Sequence, residues 1–175
     1  TMWSAFFLIG VGRGRSGVSI APAEYEDVFA KLKHIADEAR FMVKTTEAHH
    51  YRRYVLENRE ATQVEPTAHP MAGHRAPTGI RDGHGIMFVS HTGEIYPSGF
   101  LPLRCGQVPL DNVVDVYRDH EIFQRLRQVE DFAGKCGRCE YREICGGSRA
   151  RAYALTGNAF ASDPHCVYQP AASSN

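Results

Sequence analysis

No stretch of this chain approaches the ~20 consecutive apolar residues of a membrane span. The apolar start, Trp3 to Val11, is too short for one. It also lacks a basic leader and a small-residue cleavage site, so it reads as a strand rather than a signal peptide. Neither sign of charge is in surplus: 20 basic and 20 acidic side chains give a formal net charge of zero. That removes the electrostatic case for broad nucleic-acid binding. Cysteine is sparse and odd in number, five in 175 residues. A disulfide framework belongs to smaller secreted chains, so a reducing, cytoplasmic setting fits better. No internal repeat, Ser/His/Asp set or paired-carboxylate arrangement is visible. The chain begins Thr1-Met2, which suggests a processed or truncated product.

What is present is a cysteine-rich run, Cys136-Gly-Arg-Cys139-Glu-Tyr-Arg-Glu-Ile-Cys145, with Cys166 beyond it. Two, five and twenty residues separate successive cysteines. Four soft thiolates converging on one point suit a tetrahedral metal or an iron–sulfur cluster. Gly134, Gly137, Gly146 and Gly147 stand around them, where a backbone wrapping closely round an inorganic core needs residues without Cβ. Lys135, Arg138, Arg142, Arg149 and Arg151 outnumber Glu140 and Glu143 there, as an anionic centre of charge near −2 requires. Zinc ribbons pair two C-x2-C knuckles, whereas only one such pair occurs here. Spacing therefore leans toward iron–sulfur and leaves structural zinc open. Cys105 is the leftover thiol, read as a packed core residue with an accessory ligand as the alternative.

Upstream, the run Trp3 to Ile9 reads as a buried strand. Pro22 opens a helix whose stripe is Tyr25, Val28, Phe29, Leu32, Ile35, Ala36 and Ala39. Phe41 to Thr45 reads as a second strand. Strand, helix and strand of these lengths form a βαβ unit with parallel strands. One such unit cannot bury both faces of its strands, so it is part of a larger α/β body. Thr46 to Arg59 reads as a further helix. Residues 61–84, with their prolines, glycines and histidines, read as a linker. Gly85–Ser90 and Glu94–Tyr96 flank a hairpin turn at Gly93. Asp111 caps a helix running to about Gln128, and a short basic helix spans Ser148 to Leu155.

Other motifs are weaker. Gly12-Arg-Gly14-Arg-Ser-Gly17 matches a dinucleotide fingerprint, but the helix starts too late and the expected acidic residue is missing. A plain loop is the better reading. His49 and His50 are adjacent, so they do not share a helix face as joint ligands. Lys44, Glu47, His50 and Arg52 near a strand end are candidates to line a cleft. His69, His74, His84 and His91 read as ordinary surface residues.

The run from Gly85 through His91-Thr-Gly-Glu-Ile-Tyr-Pro-Ser-Gly-Phe-Leu to Pro102 resembles the start of a SPASM domain. Gly134 to Ala152, with Asp163-Pro-His-Cys166, resembles its cysteine-rich end. The Trp3 run, Gly12-Arg-Gly14 and Lys44 to Arg53 resemble late strands of the partial barrel in radical SAM enzymes. The nearest group is that of haem and haem d1 biosynthesis, with peptide-modifying maturases related to it. The resemblance implies an α/β architecture: the C-terminal fragment of a partial (β/α) barrel (1–60), a linker (61–84), a small α+β SPASM domain with a β-hairpin and cluster-binding knot (85–170), and a tail (171–175). It implies one auxiliary [4Fe-4S] cluster on Cys136, Cys139, Cys145 and Cys166. It implies an oxidoreductase acting on a tetrapyrrole or peptide, with an electron donor or acceptor protein as partner. Two departures matter. The radical-generating C-x3-C-x2-C triplet is absent, so this chain alone is not expected to cleave S-adenosylmethionine. The second auxiliary site is also incomplete, since Ser98 and Arg149 stand where cysteines fall in the family.

Overall fold

The structure is a computed structural model that describes residues 1–12, 14, 19–58 and 80–171. Its first unit is the expected strand–helix–strand, but the first strand is not the buried one expected over Trp3 to Ile9: it ends at Phe6, and Met2, Trp3 and Phe6 are exposed. Strand β1 (Met2–Phe6) and strand β2 (Met42–Thr46) pair in parallel, Met2 opposite Met42 through Phe6 opposite Thr46. Helix α1 (Glu24–Glu38) makes the crossover. Its first turn carries Glu24, Glu26 and Asp27, the charge sign that complements a helix N-terminus. Tyr25, Phe29 and Leu32, at four- and three-residue spacing, are buried with Phe7, Ala48 and Tyr51. The helix begins at Glu24, after a turn containing Pro22. Its stripe ends before the sequence suggests, because Ile35 is exposed.

Helix α2 is shorter than expected, Tyr51–Glu57, because Glu47 breaks the chain with a φ of 61°. Arg53 ties α2 to α1 by bonding both Glu26 and Glu57, the second at 2.6 Å. Of residues 80–84, Arg81 and Asp82 are buried rather than exposed along a loop.

The second unit opens with an antiparallel sheet of β3 (Phe88–Val89), β4 (Glu94–Tyr96) and β5 (Gly106–Gln107), in that order. The hairpin was legible; β5, two residues long and without alternation, was not. Gly93 turns at φ 86°, where an added Cβ would stand 2.6 Å from the Val108 carbonyl oxygen. The single helix expected from Asp111 to Gln128 is two. Asn112 caps α3 (Val113–Asp119), and His120 caps α4 (Glu121–Arg127) with its ring nitrogen 3.2 Å from the Ile122 amide. A 3-10 turn at Val129–Asp131 and helix α5 (Gly134–Arg138) lead into the cysteine run. Helix α6 (Arg149–Thr156) follows, capped by Ser148 and ended by Gly157 in the left-handed region. The chain is thus mixed α/β, with small sheets among the helices.

The two units share a core. Ile9, from beyond β1, packs with Leu101, Leu126, Val129, Phe132, Cys136, Ala150, Ala159 and Phe160. Among the described residues no helix is long and apolar enough to cross a membrane.

Candidate metal centre

Four thiols face one small pocket. Cys136, Cys139, Cys145 and Cys166 line it together with Lys135, Arg142, Gly146, Gly147 and Tyr168. Cys136 comes from α5, Cys139 from the residue that ends it, Cys145 from the turn before α6, and Cys166 from the segment after Asp163. None is in a disulfide. Among the described residues, no three His, Cys, Asp or Glu side chains already close on the position of a single ion.

The backbone comes close because glycine permits it. An added Cβ at Gly137 would lie 1.8 Å from the Phe132 carbonyl oxygen. Gly147, at φ 65°, leaves room for Cys136 Sγ, which an added Cβ would meet at 3.3 Å. Donors then reach sulfur. The Gly147 amide points at Cys145 Sγ (3.4 Å), and the Asp163 amide points at Cys136 Sγ (3.3 Å). Arg149 Nη2 lies 3.7 Å from Cys136 Sγ. Such N–H donors stabilise a thiolate and orient it.

Burial holds several of these thiols in the neutral form. It pushes Cys145 up to about 12 and Cys166 up to about 11, and it raises Cys139. A metal must displace those protons, so binding releases them and weakens as pH falls.

Two arginines from outside the knot brace the loop that carries Cys145. Arg52, on α2, donates to the Ile144 carbonyl (3.0 Å) and to the Ile80 carbonyl (2.8 Å). Arg81 donates to the Glu143 carbonyl at 3.2 Å. Lys135 donates to the Cys166 carbonyl.

Behind the pocket lies a buried polar cluster that pattern reading did not assemble. Ser148 Oγ donates to Glu47 Oε2 at 2.7 Å, and the Ser148 amide donates to Asp163 Oδ2 at 2.9 Å. Arg151 donates to Asp163 Oδ2 at 3.1 Å and to the Glu47 carbonyl. His50 packs between Tyr25 and, edge to face, Phe29, with Nδ1 4.0 Å from Asp163 Oδ2. At that distance there is no hydrogen bond. Burial keeps the ring neutral, lowering its pKa to about 3. For Asp163 burial works upward, yet Arg151, His50 and backbone donors outweigh it and hold the carboxyl below its ordinary value. The sequence signals for this cluster were a serine ahead of a basic helix and the run Asp163-Pro-His-Cys166.

The cleft expected from Lys44, Glu47, His50 and Arg52 does not form among the described residues. Glu47 and His50 turn inward and are buried, and Arg52 is committed to two carbonyls. A second, mainly apolar pocket lies at the end of β1, lined by Phe6, Phe7, Leu8, Ile20 and Tyr25. Cys105 is placed as a core residue. It packs with Ile95 and Phe123, and its Sγ donates to the Leu103 carbonyl at 3.3 Å. His91 is exposed, whereas His84 is half-buried, with Nδ1 shielded from solvent. The Gly12 to Gly17 motif and His69 and His74 fall largely or wholly outside the described residues.

No protein-family model matches the chain. Curated relatives do. The chain is 35% identical over 171 residues to an AdoMet-dependent heme synthase of Methanosarcina barkeri, covering 96% of this chain and 48% of that protein. It is 36% identical over 170 residues to an AdoMet-dependent heme synthase of Nitratidesulfovibrio vulgaris, covering 96% and 46%. A shorter match, 37% over 60 residues, joins it to a PqqA peptide cyclase of Rhodopseudomonas palustris, covering 34% of this chain and 16% of that one. The chain spans about half the length of the heme synthases it matches. Over nearly its whole length the chain is thus similar to part of AdoMet-dependent heme synthases.

Proposed function

We propose that this chain is the auxiliary-cluster portion of a radical SAM/SPASM oxidoreductase, holding one [4Fe-4S] cluster on Cys136, Cys139, Cys145 and Cys166. One observation carries the reading: those four cysteines, spread over thirty-one positions of sequence, line a single pocket. In this reading residues 1–60 are the end of the partial (β/α) barrel, 61–84 the linker, 85–170 the SPASM domain and 171–175 the tail. The substrate class is a tetrapyrrole, as the names of the heme synthases suggest, with a peptide as the alternative that the cyclase suggests. A protein electron donor or acceptor completes the set.

The residues suit the group. Four thiolates around one cubane carry a net charge near −2, and such clusters need N–H donors and nearby cations. Gly147 and Asp163 offer amides, Arg149 a guanidinium, and Lys135 and Arg142 line the pocket. In a zinc site the thiolates meet on one ion at Zn–S distances of about 2.3 Å. Only one C-x2-C pair occurs here, and that spacing leans toward iron–sulfur.

When bound, the cluster would accept or relay one electron after hydrogen abstraction from substrate. The chain's own contribution is to hold and shield it. Gly137 and Gly147 let the backbone approach, Arg52 and Arg81 fix the loop before Cys145, and Tyr168 lines the pocket. All four ligand positions are filled by cysteine, so electron transfer suits the site better than direct substrate ligation. This chain carries no C-x3-C-x2-C triplet, and S-adenosylmethionine cleavage is not assigned to it.

The test is Cys139→Ala in anaerobically reconstituted protein. Loss of bound iron, with loss of protection over residues 130–170, is expected. Iron content equal to wild type would refute the ligand assignment.

A further inference from the structure

Arg149 is wholly buried, and its guanidinium is fixed from several sides. Nη1 donates to the carbonyls of Ala159 (3.0 Å) and Ala161 (2.6 Å). The plane lies over the Phe132 ring, 4.4 Å from its centre. An added Cβ at Gly147 would come within 2.7 Å of Nη2, so only glycine leaves room for the group. Nη2 is left facing Cys136 Sγ at 3.7 Å.

What this cation lacks is an anion. Arg151, two residues on and equally buried, has Asp163 at 3.1 Å. Among the described residues no carboxylate stands within ion-pair distance of Arg149. Asp82 senses its charge, but that carboxyl is occupied by Ser98 Oγ and the Ala150 amide. Two carbonyl dipoles do not neutralise a guanidinium, and a buried charge without a counter-charge is strongly destabilising. The protein tolerates it if a negative centre belongs on the far side of Cys136.

We propose that Arg149 is the built-in counter-charge of the metal centre: it hydrogen-bonds the Cys136 thiolate, stabilises the more negative state of the cluster and so raises its reduction potential. This rests on the cluster reading above. One added electron takes the cluster with its four thiolates from a charge of about −2 to about −3, with no bond or proton exchanged. A fixed cation one hydrogen bond from a ligand sulfur favours the second state more than the first. Arg149 is a positioning residue, since it acts through Cys136.

The experiment uses the full chain, loaded anaerobically with iron and sulfide and titrated with dithionite under electron paramagnetic resonance. Arg149→Met fills the volume without charge; Arg149→Gln keeps an N–H donor without charge. The potential is read from the loaded fraction of each variant, whatever its occupancy. Both should reduce at a more negative potential, with the reduced-to-oxidised ratio at a fixed poise falling on the order of tenfold, as loss of a charge-assisted bond predicts. Arg149→Lys, which restores the charge, should recover part of that shift. Loaded Met and Gln variants that titrate at the wild-type potential would overturn the proposal. So would variants that take up no iron while wild type does, because Arg149 would then serve folding instead. Wild-type protein that binds neither iron nor sulfide would instead sink the cluster reading itself.

Discussion

Ser148 Oγ donates to Glu47 Oε2 across 2.7 Å, fastening the cap of α6 to the residue that ends the parallel strand pair. The bond joins two parts of the chain 101 positions apart, and both ends are buried. Glu47 also sits at φ 61°, a left-handed conformation that side chains other than glycine adopt at a cost. Its carbonyl oxygen, in the buried interior, is the one Arg151 reaches.

The carboxyl of Glu47 makes a pH prediction. Burial, reinforced by the nearby Asp82, raises its pKa to about 8. A group whose folded pKa lies above its unfolded value of 4.5 stabilises fully below that value, and its contribution fades as pH rises through about 8. Glu47→Gln keeps an amide acceptor for Ser148 and cannot ionise. Its stability relative to wild type should therefore improve from pH 5 to about pH 8 and level off above that in urea titrations. Parallel profiles over that range would contradict the assignment.

His50 sets the opposite limb. Burial is the largest cause of its low pKa of about 3, and Arg151 and Arg53 add to it against the pull of Asp163. A depressed folded pKa gives stability that is present above the unfolded value of 6.5 and lost as pH falls toward 3. Both ring nitrogens are buried without hydrogen-bond partners, and the ring packs 4.8 Å from Phe29 and 5.1 Å from Tyr25. His50→Phe should thus cost less than about 1.5 kcal/mol at pH 7, as swaps of similar volume do. It should gain on wild type as pH drops from 6.5 to 4.5, read from the change in urea midpoint.

How much of this was readable in advance depends on the range of the interaction. The strand pair with its crossover helix and the Gly93 hairpin both follow from local pattern, and both are present. The convergence of Cys136, Cys139, Cys145 and Cys166 on one pocket was legible from thiol spacing and glycine placement. The break at His120 was missed because its side chain caps a new helix, a role usually taken by Ser, Thr, Asp or Asn. The inward turn of Glu47 and His50 was also missed. Their partners, Ser148 and Asp163, lie more than a hundred positions away, and no periodicity reports such a contact.

Gly147 tests the tightness of the knot. At φ 65° an added Cβ is strained, and it would lie 2.7 Å from Arg149 Nη2, 2.9 Å from Asp163 Cβ and 3.3 Å from Cys136 Sγ. Gly147→Ala should lower stability by about 1–3 kcal/mol and reduce iron uptake per chain. Thermal melting and iron analysis check the two parts separately.

Cys105 serves as the internal control. Burial pushes its thiol up to about 11, and it packs among Ile95 and Phe123 rather than along the pocket. Cys105→Ala should cost about 1 kcal/mol through lost packing and leave iron and sulfide content unchanged. A fall in either would make Cys105 a ligand.

The central claim is settled most directly by counting metal and sulfide in anaerobically purified and reconstituted chain. A single cubane predicts about four irons and about four acid-labile sulfides per chain, with both falling together in Cys136→Ala, Cys145→Ala and Cys166→Ala. About one zinc per chain with no sulfide, or iron that survives those substitutions, would contradict it.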